Sequence, residues 1–334
     1  MYDQSMKNHY QNIDITIPSK LNISIALIAM SSCLFILYLA SHTDSYLNLA
    51  LMMIGFGYLG NTVFSLLHEA VHANFHHNRK VNYVFGNFLA AFFPTGFTFQ
   101  KRCHLNHHRN NRTEYELFET YHEGDNKVLR ALMFYFVLTG VYWIFPLLGS
   151  LWLLINPSSM TGSKLAGKND YKLGRIGGAS MLRDFQNLTK SYVKRMRLEV
   201  VFMLLFQLSL FLFLGVTFKA WILCYVSFAV LWSSLQYADH AYSPYDIRNG
   251  AWNLKVDPLT KAFFLNYHDH LAHHQHPHVS WIHLPKFIDP NFKQPTFLSI
   301  YLRMWRGLTK IEKPKKLILD SELEKLIDKE NFLT

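Results

Sequence analysis

Apolar residues fall along the chain in two pairs of long runs, at 21–40 and 46–67 and again at 198–216 and 220–237. A helix needs about 20 such residues to cross a bilayer, and 46–67 would be roughly 33 Å long as a helix. Only a few polar positions separate the members of each pair, so each pair predicts a helical hairpin that crosses and returns. The first linker, Ser41-His42-Thr43-Asp44-Ser45, carries no Lys or Arg, as expected of a turn on the non-cytoplasmic side.

Two other apolar stretches fit a simple span poorly. Residues 83–99 are short and interrupted by Gly86, Pro94 and Gly96, which predicts a half-inserted or interfacial hairpin. Residues 129–156 contain Pro146 and Gly149 and have basic flanks on both sides. The positive-inside rule puts both flanks on one face, so this segment is expected to kink and return, or to lie at the interface. The fold class expected is all-α integral membrane: four transmembrane helices in two hairpins, plus interfacial or re-entrant segments and a cytoplasmic histidine-bearing cap. The domain reading is a polar tail at 1–20, a membrane domain at 21–290 and a C-terminal amphipathic cytoplasmic segment at 291–334. Within that last segment, 313–334 sets Leu and Ile at helical spacing among alternating charges.

Composition agrees with a membrane protein. Half of the 334 residues are hydrophobic and 17% are charged, against about a quarter in soluble domains. The net charge of +10 gathers between the apolar runs, with nine Lys or Arg against two Asp in 157–197. That distribution suits a cytoplasmic membrane surface; no nucleic-acid motif accompanies it, and no nucleic-acid partner is expected. Cys33, Cys103 and Cys224 are scattered and odd in number, so no disulfide framework is implied; Cys103 reads as a packed thiol. The polar first 20 residues do not read as a cleavable signal.

The chemistry lies in the histidines. His68 and His72 form an H-x-x-x-H pair, while His104, His107, His108 and then His270, His273, His274 form two H-x-x-H-H boxes. Residues three and four apart share a helix face, so each cluster can aim its imidazoles at one point. Eight imidazoles exceed one tetrahedral zinc, and two adjacent metal ions would use them all. The topology brings all three clusters to one membrane face. His76 and His77 read as interfacial residues; His9, His42, His122 and His283 read as ordinary surface or hydrogen-bonded ones. His68-Glu69-Ala70-Val71-His72 also matches the zincin signature, which makes an intramembrane zinc protease the rival from another class. Such an enzyme needs about three protein ligands and leaves both H-x-x-H-H boxes without a role. A histidine-lined metal transporter would carry ionisable residues inside its spans, and these spans are nearly free of them. An all-imidazole pair at a membrane surface suits redox-active iron and oxygen chemistry on a lipid. Glu69, Asp239 and Asp269 are placed to accept a ring N–H and fix a tautomer.

The three clusters resemble the histidine boxes of the membrane fatty acid desaturase superfamily. So do Asn266-Tyr267-His268, Pro277-His278-Val279-Ser280-Trp281 and Leu284-Pro285 around the third box. The likeness covers roughly 20–290. It implies an enzyme with two Fe ions and O2 as co-substrate that attacks an unactivated C–H bond of a lipid or acyl substrate. Removing two adjacent hydrogens makes it a desaturase; the alternative on the same fold is a hydroxylase or ketolase of a lipid or carotenoid. Electrons are expected from a separate ferredoxin or cytochrome b5, since His276-Pro277 belongs to the third box; the basic loop 157–197 is a candidate docking face. The implied setting is a bacterial inner membrane or the endoplasmic reticulum. The resemblance also implies a ninth ligand just after the last hairpin, His240. Gln236 shares its helical face one turn earlier and is a candidate to hold a metal-bound water. Phe92, Phe93, Phe97, Phe99, Tyr142, Trp143 and Trp232 are candidates for an acyl tunnel.

Overall fold

A computed structural model of the chain describes residues 14–161, 185–186 and 188–312. Helix α1 spans Ser19–Ser41 and α2 Tyr46–Val71; α3 spans Arg79–Phe92 and α4 Phe97–Asn110. Strand β1 (Thr120–Tyr121) precedes α5 (Lys127–Thr139), a 3-10 turn at Val141–Trp143, α6 (Ile144–Ile155) and α7 (Pro157–Thr161). The second half holds α8 (Lys190–Leu212), α9 (Phe218–Ala238), α10 (Pro258–Phe263), α11 (His270–Gln275), α12 (Phe297–Met304) and β2 (Thr309–Lys310). Most helix starts follow from a polar residue before the apolar run. Ser45, Asn78, Asn126, Thr189 and Thr217 each accept a first-turn N–H through the side chain, satisfying donors that the helix itself leaves open.

The two expected hairpins, α1–α2 and α8–α9, are both present. Their turns lie at the same end: Thr217 N–H donates to Ser41 Oγ at 2.9 Å, and the Lys219 ammonium stands 5.7 Å from the centre of the Tyr46 ring. Helix α2 packs between α1 and α9, and its far end carries the first histidine pair. By length and apolar content α1, α2 and α9 can cross a membrane, and the bent α5–α6 pair is a fourth candidate if it counts as one span. Helix α8 is not among them, because Lys190, Lys194, Arg195, Arg197 and Glu199 charge its first half. Leu27, Ile28, Phe35, Leu51, Ile54, Leu205 and Leu208 face outward on α1, α2 and α8, an apolar belt suited to lipid rather than water.

The segment 129–156 is kinked, though not where its proline suggests. α5 ends at Gly140, at φ +85°, and the axis turns by 91° into the helical stretch that follows. A Cβ on Gly140 would lie 2.8 Å from Val230 N and 2.9 Å from the Ala229 carbonyl carbon, so the bend is pressed against the backbone of α9. Only glycine takes this φ while meeting a neighbouring backbone so closely. Ser233 Oγ donates to the Val137 carbonyl at 2.5 Å from the same side. Pro146 lies in the first turn of α6, where its missing N–H leaves no intrahelical bond unmade. The stretch 83–99 forms the expected hairpin, α3 turning into α4. The all-α expectation needs one correction, since β1 and β2 pair in parallel over two residues. The amphipathic segment expected at 313–334, the tail up to residue 13 and most of the basic loop (162–184 and 187) lie outside the described residues.

Candidate metal centre

The first pair ends α2: His68 lies in its last turn and His72 is the capping residue, its N–H donating to the His68 carbonyl at 3.2 Å. The second box occupies the last two turns of α4, and the third makes up most of α11. Placing α11 takes several long-range bonds. Residues 252–254 run beside 268–271, with Leu254 N–H donating to the His268 carbonyl at 2.9 Å. Asn253 Oδ1 accepts the N–H of Ala272 at 3.0 Å and so supplies the cap of α11. Asp269 precedes the helix without capping it. Leu265 and Asn266 both adopt positive φ, +48° and +56°, which turns the chain sharply into the box.

Nine histidines converge in two groups. His68, His72, His104, His108 and His273 form one; His107, His240, His270 and His274 form the other. Within each group the candidate ligand atoms lie within 4.8 Å of one another. His240, expected just past α9, is brought into the second group; its Nε2 lies 3.1 Å from that of His107.

These residues fit a metal pair by the chemistry of the donors. His104 Nε2 lies 2.8 Å from His72 Nε2 and 2.9 Å from His108 Nε2, which in turn is 3.0 Å from His273 Nε2. A neutral imidazole has one N–H, so a chain of nitrogens facing nitrogens cannot be satisfied by hydrogen bonds throughout. The Nε2 atoms of His68 in the first group and His274 in the second are buried with no hydrogen-bond partner, an arrangement a cation in each group would complete. Burial holds the imidazoles of His104, His108, His240, His270, His273 and His274 well below their ordinary pKa, and His72 falls to about 3. They are therefore neutral at physiological pH, the form that ligates metal. Asp239 is fully buried, with neither oxygen hydrogen-bonded. Its carboxyl lies 3.7 Å from His240 Nε2 and 3.6 Å from His270 Nδ1; burial pushes its pKa well above the usual carboxylate range, and a cation in the second group would favour its ionised form.

The other expected supporting residues divide. Gln236 Oε1 accepts from Tyr267 Oη at 3.1 Å, and the Tyr267 ring packs on His68 and His270. Asp269 stands 3.5 Å from His268, which belongs to neither group, and burial raises its pKa to about 6. Glu69 does not orient an imidazole: its Oε2 accepts from Ser280 Oγ at 2.6 Å and Trp281 N–H at 3.2 Å. It thereby ties α2 to the loop after the third box. His76 and His77 stack on each other; they, and His276 and His278 further on, lie outside both groups.

Three contacts were not legible in the sequence. The Gly250 carbonyl accepts from His240 Nδ1 at 2.9 Å; Glu116 Oε2 is 3.5 Å from His107 Nδ1; and Asn111 Nδ2 is 3.4 Å from His274 Nδ1. Glu116 is one acid among several in a polar stretch, and a backbone carbonyl leaves no sequence signal.

A cavity of about 130 Å³ opens beside the second group. His104, His107, His240 and His270 line it with Cys103, Glu116 and Gln236, and so do the apolar and aromatic side chains of Phe118, Val137, Tyr142 and Trp232. Tyr142 and Trp232 are nearly parallel, 6.0 Å between centroids. Of the aromatic candidates these two reach the cavity. Phe92 and Phe93 line a much smaller void between the spans, and Phe97, Phe99 and Trp143 pack into the core. Val137 and Tyr142 reach the cavity from either side of the Gly140 bend.

No curated relative matches the chain. The profile of one family, described as Fatty acid desaturase, matches residues 45–295, three quarters of the sequence and every one of the nine converging histidines. The chain belongs to the fatty acid desaturase family.

Proposed function

We propose that the protein is a membrane-bound, di-iron, O2-dependent desaturase that introduces a double bond into an acyl chain. The observation that carries this reading is the convergence of nine imidazoles in two groups, four of which, His104, His107, His240 and His270, line a cavity together with apolar and aromatic side chains. His68, His72, His104, His108 and His273 would hold one iron, and His107, His240, His270 and His274 the other. Bound there, the irons supply the redox chemistry by which O2, two electrons and two protons take two hydrogens from the chain, leaving a C=C bond and two waters.

The protein's own residues account for the rest. Neutral imidazoles leave most of the cationic charge uncompensated; a cation in the second group would favour the ionised form of the buried Asp239, which would then offset part of it. The Gly250 carbonyl accepts the Nδ1–H of His240, which directs Nε2 inward. Phe118, Val137, Tyr142 and Trp232 hold the acyl segment and exclude water around the reacting carbons. Gln236, fixed by Tyr267, is positioned to hold a water or polar atom near His240. The centre faces the cytoplasm on this reading: Arg79, Lys80, Lys101 and Arg102 flank the boxes in sequence, whereas the turn at the opposite end of α1 has no Lys or Arg. The electrons come from a separate acidic carrier of ferredoxin or cytochrome b5 type, which the basic surface around α4 and α8 would attract.

Mass spectrometry of lipids from an expressing host tests the reaction. Acyl chains two hydrogens lighter, absent with an inactive His270→Ala variant, are expected. Chains gaining one oxygen would assign a hydroxylase instead.

A further inference from the structure

The helix carrying the second box begins without a cap of its own. Gly96 precedes α4 and has no side chain to offer, whereas five other long helices are capped by a Ser, Thr or Asn in that position. The open donor is met from another element. Thr98 N–H donates to Glu199 Oε2 at 2.6 Å, and Thr98 Oγ1 to Glu199 Oε1 at 2.7 Å. Tyr83 Oη donates to the same Oε1 at 2.8 Å. Glu199 belongs to α8, 101 residues after Thr98, and is 4% exposed.

Gly96 makes this arrangement possible. A Cβ there would lie 3.1 Å from Val200 Cγ2 and 3.7 Å from Glu199 Cβ, so α8 occupies the space that a local capping side chain would need. A carboxylate at this end also meets the positive pole of the α4 dipole. Burying a charge is expensive, and at a helix start with room for it a serine cap satisfies the same N–H more cheaply. What a local cap cannot do is join three helices: Glu199 fixes the first turn of α4 against both α3, through Tyr83, and α8. Thr98 precedes His104 by six residues, about 9 Å along a helix. Any shift or tilt of that turn is carried to His104, His107 and His108, which serve both groups.

We propose that Glu199 is a positioning residue for the metal pair, setting the register of the second-box helix from the last hairpin. The proposal rests on the reading of the nine histidines as ligands, and its test separates the two. Metal-free full-length protein in detergent micelles is titrated with Co(II), followed by its ligand-field absorption. The wild type is expected to bind two Co(II). Glu199→Ala is expected to remain helical by circular dichroism yet to bind at least about tenfold more weakly, the range seen when a supporting partner of a ligand is lost. Its thermal stabilisation on metal loading should shrink accordingly. Glu199→Gln, whose amide oxygen can still accept from Thr98 N–H, should recover most of the affinity. If Glu199→Ala melts earlier but binds Co(II) as the wild type does, Glu199 is a structural tie alone and the proposal is overturned. Should Glu199→Ala fail to fold, Glu199→Asp, which withdraws the carboxylate by one methylene, carries the same expectation and is overturned by the same result. Wild-type protein that binds no Co(II) would remove the ligand reading, and this proposal with it.

Discussion

The Nε2 atoms of His107 and His240 approach to 3.1 Å although 133 residues separate them. One belongs to α4, in the first half of the chain, and the other follows the second hairpin, so the second histidine group exists only when the two halves of the chain are assembled. His240→Ala should therefore lower iron from about two per chain to about one and cut product at least about tenfold. His270→Ala should do the same. His283→Ala, whose ring hydrogen-bonds the Thr16 carbonyl and lies beside Lys286, outside both groups, should change neither. Full iron and normal product in His240→Ala would leave that residue as a helix cap.

Glu69 separates the desaturase reading from the zincin reading. It is engaged by Ser280 and Trp281, a tether that Gln can keep in part. Glu69→Gln should retain iron and product within a few-fold, while Glu69→Ala should loosen the third box and lower stability by about 1–3 kcal/mol. A general base would show a loss of roughly 10²–10⁴-fold in the Gln variant; turnover measured against metal content decides.

Acid should remove the metal. Burial holds the ring pKa values below the ordinary value of about 6.5, to about 3 for His72. The folded pKa lies below the unfolded one, so the unfolded chain takes up more protons in acid. The stability that neutral imidazoles contribute is complete above about pH 6.5 and declines as pH falls toward the folded values. Protons also compete with metal for the same nitrogens. Melting curves of metal-free protein should shift down below about pH 6.5, and iron should begin to dissociate below roughly pH 6. Full iron retention near pH 4 would mean that the ligands are not mainly histidine.

The cavity predicts where selectivity can be changed. Its roughly 130 Å³ is close to the engineered cavity of about 150 Å³ that accommodates benzene, so only a short acyl segment fits beside the histidines. Trp232→Ala should enlarge the apolar side and shift the product distribution toward longer chains or another double-bond position, with iron content unchanged. An unaltered product profile at full iron loading would place the acyl chain elsewhere.

The hairpins and the histidines that converge were readable in the sequence because their signals are local. A 20-residue apolar run needs no partner to be recognised, and histidines at spacings of three and four share a helix face whatever surrounds them. What the sequence hid depends on contacts between distant segments. The break at Gly140 arises from the backbone of α9 pressing on it, while Pro146, the more conspicuous residue, sits harmlessly in a first turn. The caps of α4 and α11 come from Glu199 and Asn253, far from the helices they serve. The buried Arg112–Glu119 pair, 2.7 Å apart, closes below the site with Tyr237 and the Tyr242 N–H. In sequence it is two charges in a polar linker. Glu69 shows the converse, since a carboxylate between two converging histidines invites a role in orienting them, whereas its hydrogen bonds go to Ser280 and Trp281.

Metal stoichiometry tests the central claim most directly. Full-length protein purified in detergent from iron-replete cells, analysed by inductively coupled plasma mass spectrometry against protein concentration, should hold about two irons per chain and little zinc. One zinc and no iron would contradict the account and favour the protease chemistry of His68-Glu69-x-x-His72.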